Sequence, residues 1–224
     1  MIFRSALIGL LAMGAPLLAG EAVDRANRAG EVLDEVMMTP ESSIPQELIN
    51  KAHCVAIVPG AKKAGFIVGA RYGKGIISCR APGNEAWTGP SAIRIEGGSF
   101  GLQIGGSSTD VVLLLLNKSG KDKLLSSRFT LGGDAAVAGG PVGRSAQAQT
   151  DAQMRAEILS YSRSRGVFAG VSLEGATLRQ DADDNEELYG KPVTPNQILD
   201  GELAPPETVQ PLMAALNRYS RHEH

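Results

Sequence analysis

The chain has 224 residues, 43% of them hydrophobic and 4% aromatic, with a formal charge of -2. That length and apolar content suit one globular domain with its own core, with or without a short tail. The near-neutral charge argues against a general nucleic-acid binder, and so few aromatics argue against a stacking platform for single strands.

Residues 1–20, MIFRSALIGLLAMGAPLLAG, place Arg4 ahead of an apolar run that is followed by small residues. This is the layout of a secretory signal peptide, and the run is too short to span a bilayer. Leu18-Ala19-Gly20 is how a bacterial lipoprotein signal ends, but Glu21 stands where lipidation requires Cys. The expectation is an exported protein, periplasmic or secreted, peripheral on a membrane at most and not lipidated at residue 21. The expected organisation is a signal peptide over 1–20, a domain over 21–201 and a helical tail over 202–224.

Residues 21–38 read as a helix, with Val23, Ala26, Leu33, Val36 and Met37 near a 3.6-residue period and Pro40 ending it. Ser43-Ile44-Pro45 opens a second helix, with Pro45 in the first turn ahead of Leu48 and Ile49. From Cys54 the texture changes. CVAIV, GFIVGAR, GIISC, SAIRIEG, SFGLQIG and DVVLLLL are short and apolar. They are separated by Pro59-Gly60, Tyr72-Gly73-Lys74, Pro82-Gly83-Asn84, Gly97-Gly98 and Gly105-Gly106. Such spacing predicts an antiparallel sheet closing on itself.

A short helix is expected over 119–125. Over 153–163 the alternation favours a strand, with Arg165-Gly166 as a hairpin turn into VFAGVSLEGATL. Thr194-Pro195 starts a capped helical turn closed by Gly201. Residues 207–219 form an amphipathic helix with Val209, Leu212, Met213 and Leu216 on one face. The fold class expected is α+β: a mostly antiparallel sheet closing into a barrel-like or sandwich core, with flanking N- and C-terminal helices.

The stretch TLGGDAAVAGGPVGRSAQAQTD invites comparison with a phosphate-cradling loop. Counting back from Gly143 reaches Ala138 where glycine is needed, and Arg144 stands in place of Lys. Pro141 removes one of the backbone donors on which such a cradle depends. No nucleotide or cofactor is expected, and the glycines are read as places of close strand packing. His53 is the one histidine outside the last three residues. It is read as a buried or cross-strand residue rather than a catalytic base. The acidic run 181–186 has Glu186 where a calcium loop needs Gly and Pro192 where it needs Glu, so no metal is expected. No catalytic constellation emerges. Cys54 and Cys79 either form a disulfide, worth about 2–4 kcal/mol in an oxidising compartment, or remain two buried thiols.

Charge is unevenly distributed. Residues 51–80 hold Lys51, Lys62, Lys63, Arg71, Lys74 and Arg80 and no acid, whereas residues 174–207 hold nine acids against Arg179 and Lys191. One basic face is expected.

Several blocks occur in one order: IPQELINKAHCVAIVP, KKAGFIVGARYGKGI, GPSAIRIEGGSFGLQIG, TLGGDAAVAGGPVGR, YSRSRGVFAGVSLEGATL and YGKPVTPNQILDG. Over roughly residues 24–201 the chain resembles the SYLF family, also described as Ysc84-type actin-regulator or lipid-binding domains. The resemblance implies a non-enzymatic module that binds anionic membrane lipids, phosphoinositides in eukaryotic members, and it implies actin binding for some fungal ones. Residues 21–38 carry five acids against Arg25 and Arg28, so insertion of that helix into an anionic bilayer is not expected. The candidate lipid-binding residues are Lys62, Lys63, Arg71 and Lys74, then Arg163 and Arg165, then Arg144, the last alternatively paired with Asp134. A protein partner docked by the C-terminal helix is the alternative.

Overall fold

The computed structural model describes residues 20–39, 43–65, 68–83, 86–100, 105–124, 129–143, 153, 155–164 and 167–220. The signal-peptide reading, Arg144 and Arg165 fall outside these residues.

Helix α1 (Glu21–Met38) and the short α2 (Gln46–Lys51) precede the sheet. Four long strands follow: β1 (Cys54–Gly65), β2 (Val68–Cys79), β3 (Ser91–Phe100) and β4 (Gly105–Leu115). Helix α3 (Lys118–Leu124) leads to β5 (Phe129–Thr130), β6 (Val137–Gly139), β7 (Ile158–Ser164), β8 (Val167–Gly170) and β9 (Thr177–Gln180). The chain ends in α4 (Ala182–Tyr189), α5 (Pro195–Leu199), a 3-10 turn (Glu207–Val209) and α6 (Gln210–Tyr219). The strand order is β5-β9-β3-β2-β1-β4-β7-β6, with β8 also on β7. All neighbours are antiparallel except β6 and β7. The sheet is strongly curled into a half-barrel, as the α+β expectation required.

Both sides of the sheet are covered. On one side Val55, Ile57, Ile76, Val112 and Leu114 pack with α1, α2 and α6. On the other, Ala56, Val58, Ile77, Val111 and Leu113 meet residues from α3, α5 and the segments around Leu131 and Leu173. Two-sided burial explains why these strands read as continuous apolar runs rather than alternating ones. Cys54 and Cys79 face each other across β1 and β2, fully buried, and are joined by a disulfide.

Four of the supposed turns lie inside strands, Gly105-Gly106 at the start of β4 among them. Pro59-Gly60 is a bulge within β1, Tyr72-Gly73-Lys74 is part of β2, and Gly97-Gly98 is part of β3. The glycines serve close approach instead. A Cβ at Gly75 would collide with the Ile57 carbonyl oxygen and lie 2.8 Å from Val58 Cα. A Cβ at Gly140 would run into the Tyr161 ring, so that glycine pair permits packing on β7.

Other expectations hold with small shifts. The strand expected over 153–163 begins only at Ile158, and Gln153 and Arg155 ahead of it are helical. Pro45 sits at the cap of α2 rather than in its first turn. Helix α5 carries a full capping box between Thr194 and Gln197. The C-terminal helix needs the largest correction. Val209, Leu212, Met213 and Leu216 are buried against α1, so the face offered to a partner is already occupied. Arg218 adds an ion pair to Asp34 at 2.9 Å.

Candidate functional site

The site is built by one irregularity in β1. Val58 pairs with Val111 and Ala61 with Thr109, so Pro59 and Gly60 together oppose the single residue Asp110. This is a β-bulge, with Gly60 at φ +60° and its N–H donated to Asp110 Oδ1 at 2.8 Å. Because side chains alternate along a strand, one extra residue reverses which side every later residue faces. Val58 and Ala61 therefore share a side, Lys63 joins them, and Lys62 is turned to the α1 side.

On the side away from α1, Lys63 stands directly opposite Arg71 on β2 and directly opposite Ser107 on β4. These three residues line a cavity of about 230 Å³ together with Thr109 and Ser162. Val111, Val171 and Leu173 complete its wall, with Val111 and Leu173 buried. Among the described residues no carboxylate bonds to Lys63 or Arg71, and none lines the cavity. Arg71 is half-buried, and desolvation pulls its guanidinium below its ordinary value. Like charges placed directly opposite on neighbouring strands are an unfavourable pairing in general, and Lys63 and Arg71 are such a pair.

The α1 side treats its cations differently. The Lys74 ammonium lies 2.8 Å from Asp184 Oδ1 and 3.1 Å from Asp181 Oδ2, and the Asp184 hydrogen bond raises it above its ordinary 10.5. Asp184 also takes Arg25 of α1. Arg163 donates from Nε to Asp110 Oδ2 at 2.8 Å, pairs with Glu35 of α1 and lies over the Phe168 ring. Lys74 and Arg163 thus tie α1 and its neighbours to the sheet, and the carboxylates that hold them leave them less available to a ligand than Lys63 and Arg71. Lys62 is exposed beside Tyr72, apart from the cavity.

Of the five candidates among the described residues, then, two converge. The hydroxyls of Ser107, Thr109 and Ser162 escaped sequence reasoning. Their one signal was Ser107 and Thr109 spaced by two beside the apolar run of β4. Asp134, proposed as a partner for Arg144, accepts the Thr130 N–H at 2.6 Å.

Comparison with known proteins finds similarity over most of the chain. The family model described as "Las17-binding protein actin regulator" matches residues 96–219, more than half of the chain. "LAS seventeen-binding protein 3" of Saccharomyces cerevisiae is 38% identical over 177 residues, covering 77% of this chain and 38% of the relative. "SH3 domain-containing YSC84-like protein 1" of Mus musculus is 35% identical over 182 residues, covering 81% and 53%. An SH3 domain-containing protein of Schizosaccharomyces pombe is 35% identical over 198 residues, covering 85% and 46%. The chain thus spans about half the length, or less, of these curated relatives, and none of the three names denotes an enzyme. The chain belongs to the Ysc84 (SYLF) family.

Proposed function

We propose that this protein binds anionic lipid headgroups at a membrane surface, without catalysis, through Lys63 and Arg71. One observation carries the reading: two cations stand directly opposite each other at a cavity, with hydroxyls around them and no carboxylate among the described residues. An unfavourable pairing is retained where it serves binding. Family membership supports the same reading, as does the contrast with Lys74 and Arg163, each neutralised by acids. The signal-like first twenty residues place the activity, in this reading, in an exported protein that meets its membrane peripherally. The opposing thought, capture of a protein by the C-terminal helix, finds that helix packed on α1.

Co-sedimentation with phosphatidylglycerol vesicles tests the proposal. Wild type is expected to pellet with them, less so at high salt, and not with phosphatidylcholine. The Lys63→Glu/Arg71→Glu variant is expected to stay in solution. Wild type that ignores every anionic vesicle would remove the proposal.

A further inference from the structure

The cavity has features that a diffuse basic surface lacks. Among the described residues its charge is countable: Lys63 and Arg71 bring two positive groups, and no acid lines the wall. A phosphomonoester carries about -1.5 to -2 at neutral pH and offers three terminal oxygens. A phosphodiester carries a single charge on two such oxygens. The donors are of several kinds: a planar guanidinium fork, an ammonium, and the hydroxyls of Ser107, Thr109 and Ser162. So rich a donor set suits the group with more oxygens.

Size points the same way. At about 230 Å³ the cavity lies below the range of ~300–1,000 Å³ usual for drug-sized ligands, so it accommodates a terminal group and not a lipid tail. The buried Val111 and Leu173 close one side of it. A phosphate linked at one oxygen can turn its other three toward a site walled on one side, whereas one linked at two must keep both substituents pointing outward.

We infer that the cavity is a site for one dianionic phosphomonoester group, taken in preference to a phosphodiester, whether a lipid or a small soluble molecule carries it. The inference rests on the anion-binding reading for its location, but it does not depend on the carrier being a membrane lipid. Lys63 and Arg71 neutralise the charge, the hydroxyls orient the oxygens, and the apolar wall excludes water from one flank.

The test uses titration calorimetry of the full chain with sn-glycerol 3-phosphate and with dimethyl phosphate, beside vesicles of phosphatidylcholine doped with phosphatidate or phosphatidylglycerol to equal surface charge. The monoester is expected to bind at least about tenfold more tightly than the diester, and phosphatidate vesicles more tightly than phosphatidylglycerol ones. Monoester affinity should rise as pH passes upward through about 6, where the second phosphate proton leaves, while the diester stays flat. Arg71→Ala is expected to lose about tenfold or more, and Arg71→Lys less. Lys62→Ala removes the same charge one residue away on the α1 side and should leave soluble monoester binding unchanged.

Equal binding of both esters, or equal losses in Lys62→Ala and Lys63→Ala, would overturn the inference. If both doped vesicles bind alike while glycerol 3-phosphate fails, the headgroup reading survives and the monoester site does not. If glycerol 3-phosphate binds through Arg71 and no vesicle does, the site stands and its lipid carrier falls.

Discussion

Arg71 and Lys74 lie three residues apart on one strand, and the two sides of the sheet treat them in opposite ways. Lys74 faces α1 and meets Asp181 and Asp184, the second of which also holds Arg25. Arg71 faces away from α1, opposite Lys63, beside hydroxyls and, among the described residues, no acid. The first arrangement ties a helix to a sheet; the second, in the proposed reading, leaves two cations for an anion to bridge. Charge counts along the chain do not separate these cases. Which side of a coiled strand a cation faces, and what the rest of the fold brings to that side, does.

The largest effect that would sharpen this contrast belongs to Asp110, the one residue serving both sides. Its carboxylate accepts the Gly60 N–H that fixes the bulge and pairs with Arg163, which reaches Glu35 on α1. Asp110→Ala is expected to cost about 3–5 kcal/mol in chemical denaturation, since it takes one of two carboxylates from a largely buried arginine and the acceptor from the Gly60 N–H. Vesicle affinity should fall with it, because the bulge aims Lys63.

Next is the disulfide, which closes a loop of sequence separation 25 at the end of β1 and β2 away from the cavity. Cys54→Ala/Cys79→Ala is expected to lose about 2–4 kcal/mol, with headgroup binding by the folded variant intact. Lys74→Met is a milder break, about 1–2 kcal/mol after allowing for its partial exposure, with no change in vesicle binding.

The smallest effect is pH-dependent. Burial, with Lys121 and Lys118 nearby, lowers His53 from its ordinary 6.5. The unfolded chain then binds that proton more readily, so the folded state loses stability as pH falls through 6.5 and levels off below the folded value. His53→Gln should therefore gain stability relative to wild type below 6.5 and show no such gain above it.

Much of the fold could be foreseen. The 3.6-residue period of residues 21–38 and the Thr194 cap are local signals, and local packing respects them. Strand boundaries were harder, because Pro59-Gly60 and Gly73 carry the composition of turns while serving a bulge and close strand contact. That same misreading hid the site. Without the bulge, Lys62 rather than Lys63 would face the cavity, and no feature of KK itself decides between them. Likewise, nothing local marks Lys74 and Arg163 as paired, since their acids lie far away in sequence at Asp181, Asp184, Asp110 and Glu35.

The central claim is that Arg71 is kept for binding at the expense of stability. Arg71→Met preserves side-chain bulk and removes the charge, so thermal unfolding and phosphatidate-vesicle binding of this one variant, measured side by side, test it most directly. The account predicts a melting temperature equal to or above that of wild type, together with lost binding. A lowered melting temperature with binding intact would contradict it.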